Sequence, residues 1–376
     1  MKTDLINTFV WMKLIRFVRK HRAWVIIAVL AVVIKVVSFF PDVVEKYYAH
    51  GVYIFISRLL RFLFGWLPFS IGDIVYAGVI TGLIIYIVRV IKRLFKKKAH
   101  LIRWKKYLAA CLFTILCIYV IFYSFWGLNY SRQSIEEQFG LNTKNITARD
   151  LDTLAQLLHD RINREASEMS LAGRDSLLDN DFLFKQSQDA YRLAQQQYPF
   201  LNSRPASVKS SLFGELMNYS GLQGYYNPFS GEAQVNTTIP VFLLPSIVTH
   251  EMGHQVGYAK ESEANFLSFL TSHTYPSVHF RYSTDFVMYA YAVNELYLYD
   301  SMKVKAYDST LHPRVKRDFQ TYREFYRKYE NRIEPVIHWI YGNYLRANNQ
   351  PSGNRSYDEV VIWLIGWYRK YGRAAI

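Results

Sequence analysis

The amino-acid sequence predicts a mainly α-helical chain with a small β element, in which three N-terminal transmembrane helices precede a globular domain. Three observations carry this expectation. Apolar runs long enough to cross a bilayer lie in the first third of the 376 residues; the basic excess lies there too; and the remainder alternates helix-capping signals with one stretch punctuated by Gly and Pro. Residues 1–127 hold 19 Lys and Arg against 4 acids, which accounts for the whole net charge of +15, whereas residues 128–376 hold 26 of each.

The predicted spans are 23–40, 71–91 and 107–127, each near the roughly 20 residues that a helix needs to cross a bilayer. Lys35 sits near the end of the first, where its side chain can snorkel to the interface, and the run is followed by Phe39-Phe40-Pro41-Asp42 rather than by small residues, so it reads as a retained anchor and not a cleaved signal. A fourth run, 51–69, carries Arg58 and Arg61 on one helical face. Each arginine would cost roughly 2.5–3.5 kcal/mol at a membrane centre, which predicts a segment lying along the interface or re-entering it.

Orientation follows from the loops. The first 22 residues carry six Lys and Arg and residues 92–106 carry eight, against three in 41–70. The positive-inside rule then places the N-terminus in the cytoplasm of a multi-pass inner (cell) membrane protein, with everything after Gly127 on the outer, periplasmic side. Charges that flank apolar runs in this way call for anionic lipid headgroups as partner and argue against nucleic acid, which a folded basic surface would bind. The two cysteines, Cys111 and Cys117, both lie in the third run, so the globular domain, residues 131–376, has no disulfide framework.

Within that domain, Thr147 and Asp150 form a capping box that opens a helix through about residue 165, and a second helix covers 181–198. Residues 225–231, Tyr-Tyr-Asn-Pro-Phe-Ser-Gly, read as a turn and 232–239 as a short strand. Helices follow at 245–256, 261–272, 285–303, 313–346 and 357–371.

The chemistry concentrates at Thr249-His250-Glu251-Met252-Gly253-His254. Its H-E-x-x-H pattern puts two imidazoles one turn apart on one face of a helix, a spacing that zinc accepts as two of its ligands, and sets Glu251 beside the metal to activate water. A third ligand is required. Glu261 lies seven residues beyond His254, roughly 10 Å along an unbroken helix, so it reaches the metal only if the helix ends near Gly257 and the chain doubles back. Glu263 is its rival, but points about 200° away from Glu261 on a helix, so only one of them faces the metal. Downstream, His273, His279, Arg281 and Tyr282 are side chains of the type that stabilises a transition state, and none is assigned. The 232–239 strand is either an ordinary buried strand or one that takes up substrate backbone as an extra strand.

Glu261 followed four residues later by Asn265 resembles the second-helix E-x-x-x-D of gluzincin peptidases. That resemblance implies Glu261 as zinc ligand and Asn265 as the group orienting a ligand. More broadly, Pro68-Phe69-Ser70-Ile71-Gly72-Asp73, Trp126-Gly127-Leu128-Asn129-Tyr130, the H-E-x-x-H-x-x-G with Glu-Ser-Glu-Ala-Asn-Phe, and the tail from Tyr344-Leu345-Arg346-Ala347-Asn348 to Ser356-Tyr357 resemble an uncharacterised bacterial membrane family, domain of unknown function 3810. The likeness runs over nearly the whole chain and implies a zincin-like globular domain. The resulting expectation is a membrane-anchored, zinc-dependent metallopeptidase that hydrolyses peptide or protein substrates, with metal ligands His250, His254 and Glu261 and with Glu251 as general base. The competing expectation is a non-catalytic envelope protein whose zinc site is structural or senses metal.

Overall fold

In the computed structural model, which describes residues 20–95, 104–202 and 205–376, the apolar N-terminal runs are helices and the rest is a helical body around one small sheet. Much of the basic sequence behind the orientation reading, residues 1–19 and 96–103, lies outside the described residues. The first run forms α1 (Arg22–Val37). A π-helical stretch, Val44–Val52, leads into α2 (Tyr53–Phe64), and α3 (Ile71–Phe95) and α4 (Trp104–Phe125) follow.

The expected three spans are corrected to two. Among the described residues, only the stretches Ile71–Lys92 of α3 and Tyr107–Phe125 of α4 are long and apolar enough to cross a membrane, unless α1 is joined to the Pro41–Phe64 helix, from which it is bent by 104°. At 16 residues α1 measures about 24 Å against an apolar core of roughly 30 Å. Its end is set by Pro41, which lacks an N–H and disfavours helical geometry in the residue before it. At its other end Trp24 packs on Phe113, midway along α4, and past the bend the Tyr48 hydroxyl donates to Ser124 O (3.2 Å). The two helices therefore advance in the same direction, and α1 accompanies the later half of α4.

Residues 53–64 form an amphipathic rod. Tyr53, Ser57, Leu60 and Arg61 are buried, while Phe55, Leu59, Phe62 and Leu63 on the opposite side are exposed. Of the two arginines, Arg61 is buried and Arg58 is exposed, so they do not share an environment.

The first long helices of the body are α5 (Ala148–Glu168), whose Thr147–Asp150 capping box is formed as the sequence predicts, and α6 (Asn180–Gln197). Then come β1 (Val208–Ser210), α7 (Gly214–Ser220), β2 (Gly224–Asn227) and β3 (Glu232–Val235). The sheet order is β1-β3-β2: β1 runs parallel to β3, and β2 runs antiparallel to it with Tyr225 opposite Gln234. One sequence expectation changes here, because the start of the predicted turn is itself a strand. Of the two readings of the 232–239 strand, the structure shows the ordinary buried one: β3 is the buried centre of the sheet with both edges taken.

Next are α8 (Leu244–Gln255), α9 (Glu261–Thr274), α10 (Val278–Tyr297), α11 (Ser301–Thr310), α12 (Pro313–Tyr329), α13 (Glu334–Ala347) and α14 (Val360–Tyr371). The stretch expected as one helix over 313–346 is broken where the Asn331 side chain caps the N–H groups of Ile333 and Glu334. Every residue of α8 is buried, and it packs on α9, α10, β2 and β3. A helix enclosed on all sides needs no polar face, which is why its sequence upstream of the histidines is apolar. A second apolar cluster joins Ile34, Tyr48, Tyr53 and Trp126 to Tyr226 and Ala259, so the boundary expected at residue 130 runs through a shared core.

Candidate metal centre

On α8, His250 and His254 stand one turn apart with ring centroids 4.8 Å from each other. The helix stops at Gln255, and Gly257 takes φ +95°, a conformation that side chains on Cβ disfavour. The reversal this allows starts α9 at Glu261 and returns its carboxylate to the histidines. Glu261 Oε2 lies 3.2 Å from His250 Nε2 and 3.4 Å from His254 Nε2.

These separations can be compared with what a metal requires. Four ligands placed tetrahedrally at about 2.0–2.1 Å from an ion are about 3.3–3.4 Å apart along each edge. The observed oxygen–nitrogen distances fall close to that edge, and the three buried groups together could hold a metal ion. The outer partners agree. His250 Nδ1 lies 2.8 Å from Asn265 Oδ1 and His254 Nδ1 lies 2.7 Å from Tyr258 O, acceptors that orient both rings with Nε2 towards Glu261. The Tyr341 hydroxyl donates to Glu261 Oε1 (2.7 Å), fixing the other carboxylate oxygen.

The electrostatics of the group couple an anionic carboxylate to a cationic imidazole. Burial raises Glu261, yet His254 and His250 outweigh it and hold the carboxyl well below the usual range. Burial lowers His254, but the field of Glu261 prevails and pushes it up to about 9. Glu251 behaves oppositely. Burial dominates and raises it to about 7 even though both imidazoles pull it down, and its Oε2 has no hydrogen-bond partner. The carboxyl group rests on β2 at Gly224, where an added Cβ would come within 2.5 Å of Glu251 Oε1.

Glu263, the rival third ligand, is buried on the other side of α9, 3.6 Å from Lys260 Nζ, and is not part of the cluster. The four unassigned downstream residues are elsewhere. His273 bonds Asp285 (2.8 Å), Arg281 lies 3.5 Å from Glu165, the Tyr282 hydroxyl donates to Asp318 (2.6 Å), and His279 sits against Gly173. None of them lines the cleft over the metal group.

That cleft, of about 510 Å³, is walled by aromatic residues from distant parts of the chain, among them Tyr76, Phe122, Trp126, Tyr225 and Tyr341, with His338 beside them. Sequence reasoning missed these. The one signal for Tyr341 is its place three residues after His338 and three before Tyr344 on an amphipathic helix. Segments before residue 133 also hold the reversal from outside: Tyr53 donates to Gln255 O (2.9 Å), and Arg132 donates to Gly257 O (2.9 Å) while making a two-pronged pair with Glu45 (2.6 and 2.9 Å).

A family model described as "Protein of unknown function (DUF3810)" matches residues 48–365. No curated protein and no solved structure matches the chain.

Proposed function

The chain belongs to the DUF3810 family, whose function is unknown, and we propose that it is a membrane-anchored, zinc-dependent hydrolase with a zincin-like site, acting on peptide or protein substrates at the outer face of the cell membrane. The observation that carries this reading is Glu251: a buried carboxylate with an unpartnered oxygen, in the same cleft as a three-donor group suited to a divalent ion. A purely structural zinc site is closed by four protein ligands. Here three donors converge among the described residues, which leaves one position for solvent or substrate.

His250, His254 and Glu261 would hold the ion, which when bound supplies Lewis acidity to a water and to the substrate carbonyl. Glu251 then takes a proton from the attacking water as its oxygen joins the carbonyl carbon. It delivers that proton to the leaving nitrogen as the C–N bond breaks, so one water is consumed and one carboxylate and one amine are released. Substrate backbone has a place to pair at β2, the edge strand beside Glu251. Pairing alternates along antiparallel strands, and Asn236 N bonds Gln223 O, so Gly224 and Tyr226 turn their backbone groups away from β3, to the free edge.

The outside placement depends on one hairpin. With the eight cations of residues 92–106 held inside, the start of α3 and the end of α4 both fall outside, whether or not α1 crosses.

Purified full-length chain tests the reading. The expected result is one zinc per chain, retained in Glu251→Gln, and a hydrolysis rate against a broad peptide library that drops about 10²–10⁴-fold in that variant. A chain that binds no metal, or a Glu251→Gln variant as active as the parent, overturns it.

A further inference from the structure

The cleft over the metal group is built partly from membrane-spanning helices. Tyr76 lies within the apolar span of α3 and Phe122 within that of α4, and both line the same cleft as His250, Glu251 and His254. Counted along the helix axes, Tyr76 is about 7 Å and Phe122 about 4–5 Å inside the ends of those spans. The depth is fixed by bonds to the sheet. The N–H groups of Ile71 and Gly72 donate to the Glu232 carboxylate (3.3 and 2.8 Å), and Asp73 accepts from Leu212 N (2.7 Å), Ser211 Oγ (3.1 Å) and the Tyr225 hydroxyl. At the other wall the Trp126 ring packs edge-on against His254, one residue after α4 ends.

The two spans are treated differently by the rest of the chain. Helix α4 is packed along α1, but beyond Asp73 nothing in the apolar span of α3 is buried, and Val79, Ile80, Leu83 and Ile84 are exposed. The cleft thus opens at the bilayer surface directly above an uncovered helix. From these features we infer that the substrate is a membrane-anchored polypeptide, whose anchor lies against α3 on the side towards α4 and whose first residues outside the bilayer thread the cleft past β2. This rests on the hydrolase reading above. A polypeptide fits better than a lipid because the free edge of β2 beside Glu251 offers backbone pairing, which an acyl chain cannot use. The reach sets the position of the cut: Trp126, the residue after α4, has its ring centroid 6.1 Å from that of His254, so the metal group lies within the span of about three to five extended residues, at roughly 3.3–3.6 Å each, from the end of α4.

The test uses the full-length zinc-loaded chain in phosphatidylethanolamine–phosphatidylglycerol vesicles, with Glu251→Gln as blank. One randomised twelve-residue segment is supplied in three formats: free, joined directly to a polyleucine transmembrane anchor, and joined to that anchor through a 30-residue Gly/Ser spacer. Cleavage is mapped by mass spectrometry. The inference expects the directly anchored format to be cut at least tenfold faster than the spaced one, within about five residues of the anchor. The spaced format controls for concentration at the surface. Equal cutting of both anchored formats, or fastest cutting of the free one, overturns the inference and leaves the hydrolase reading standing. Glu251-dependent breakdown of the vesicle lipids with no peptide cut overturns it in favour of a lipid substrate, and no Glu251-dependent cleavage in any format removes the hydrolase reading and this inference together. A photo-cross-linker at Ile80 in the Glu251→Gln chain is expected to capture the anchor of a format that is cut; capture of a second copy of the chain instead shows that α3 is covered by self-association and overturns the inference.

Discussion

Replacing Gly257 by alanine tests the chain reversal on which the metal group depends. Two costs add at this position. A φ of +95° is unfavourable to any residue with a Cβ, by roughly 1–2 kcal/mol. The new Cβ would also lie 2.8 Å from Tyr53 Cε1 and 3.1 Å from its Cδ1, and that ring cannot swing aside while its hydroxyl holds Gln255 O. Overpacking of this kind costs about 1–3 kcal/mol. The sum, about 2–5 kcal/mol, is divided between global stability and the position of Glu261, four residues on. If about 1.4 kcal/mol of it reaches the metal group, zinc affinity falls about tenfold. Thermal unfolding of the solubilised chain and zinc titration against a competing chelator measure the two parts. Gly372→Ala is the control, because Gly372 has nearly the same φ, +88°, with nothing within 4 Å of the added Cβ. It should lose the conformational share of stability and none of the zinc affinity. If Gly257→Ala matches the control in both measurements, the turn does not set the ligand and the reasoning fails.

Three further outcomes are expected. Asn265→Ala should weaken zinc binding about 10–100-fold by freeing the His250 ring, whereas Glu263→Gln should leave it unchanged; chelator titration separates the two, and equal losses would return Glu263 to the ligand set. Glu45→Ala strands the buried Arg132 guanidinium and should cost about 3–5 kcal/mol in denaturant unfolding, much of it recovered when Arg132→Met is added. Burial, and then the Asp285 carboxylate beside it, raises Glu165, so the folded chain holds that proton at a pH where the unfolded chain has lost it. The contribution is therefore complete below the ordinary glutamic acid range and is lost as pH rises through the raised value; Asp285 and His273, both lowered, act in the opposite sense at lower pH. Between pH 7 and 9 the melting temperature of the parent should fall more steeply than that of Glu165→Gln, and parallel curves would exclude the effect.

What the sequence disclosed was local. His250, Glu251 and His254 were legible because helical periodicity alone brings them together, and Glu261 because one glycine at the right distance implies a reversal. The Thr147–Asp150 cap was legible for the same reason. The break at Asn331 was available as a side-chain cap preceding Pro335, but was overridden by a long helical pattern. The first run reads as a span because it is apolar, but its helix, Arg22–Val37, is too short to count alone and passes only if joined across the 104° bend to Pro41–Phe64. The second layer was not legible at all. Tyr341 meets Glu261 from 80 residues away, and Tyr53 meets Gln255 from 202, and no periodicity or spacing encodes such a meeting.

That second layer changes what the N-terminal segment is for. An anchor that served only to hold a domain at the membrane could be cut off at a linker, with the site intact behind it. Here the segment before residue 133 supplies Tyr53 and Arg132 to the reversal at Gly257, Glu45 to Arg132, Trp126 to the face of His254 and Asp73 to β2. Truncation at residue 130 would leave Arg132 buried without its carboxylate or exposed without its packing, remove the ring that prevents Gly257 from relaxing, and open the wall of the cleft to water. A soluble fragment would therefore misreport both zinc affinity and activity, and the full chain is the smallest unit in which either can be judged.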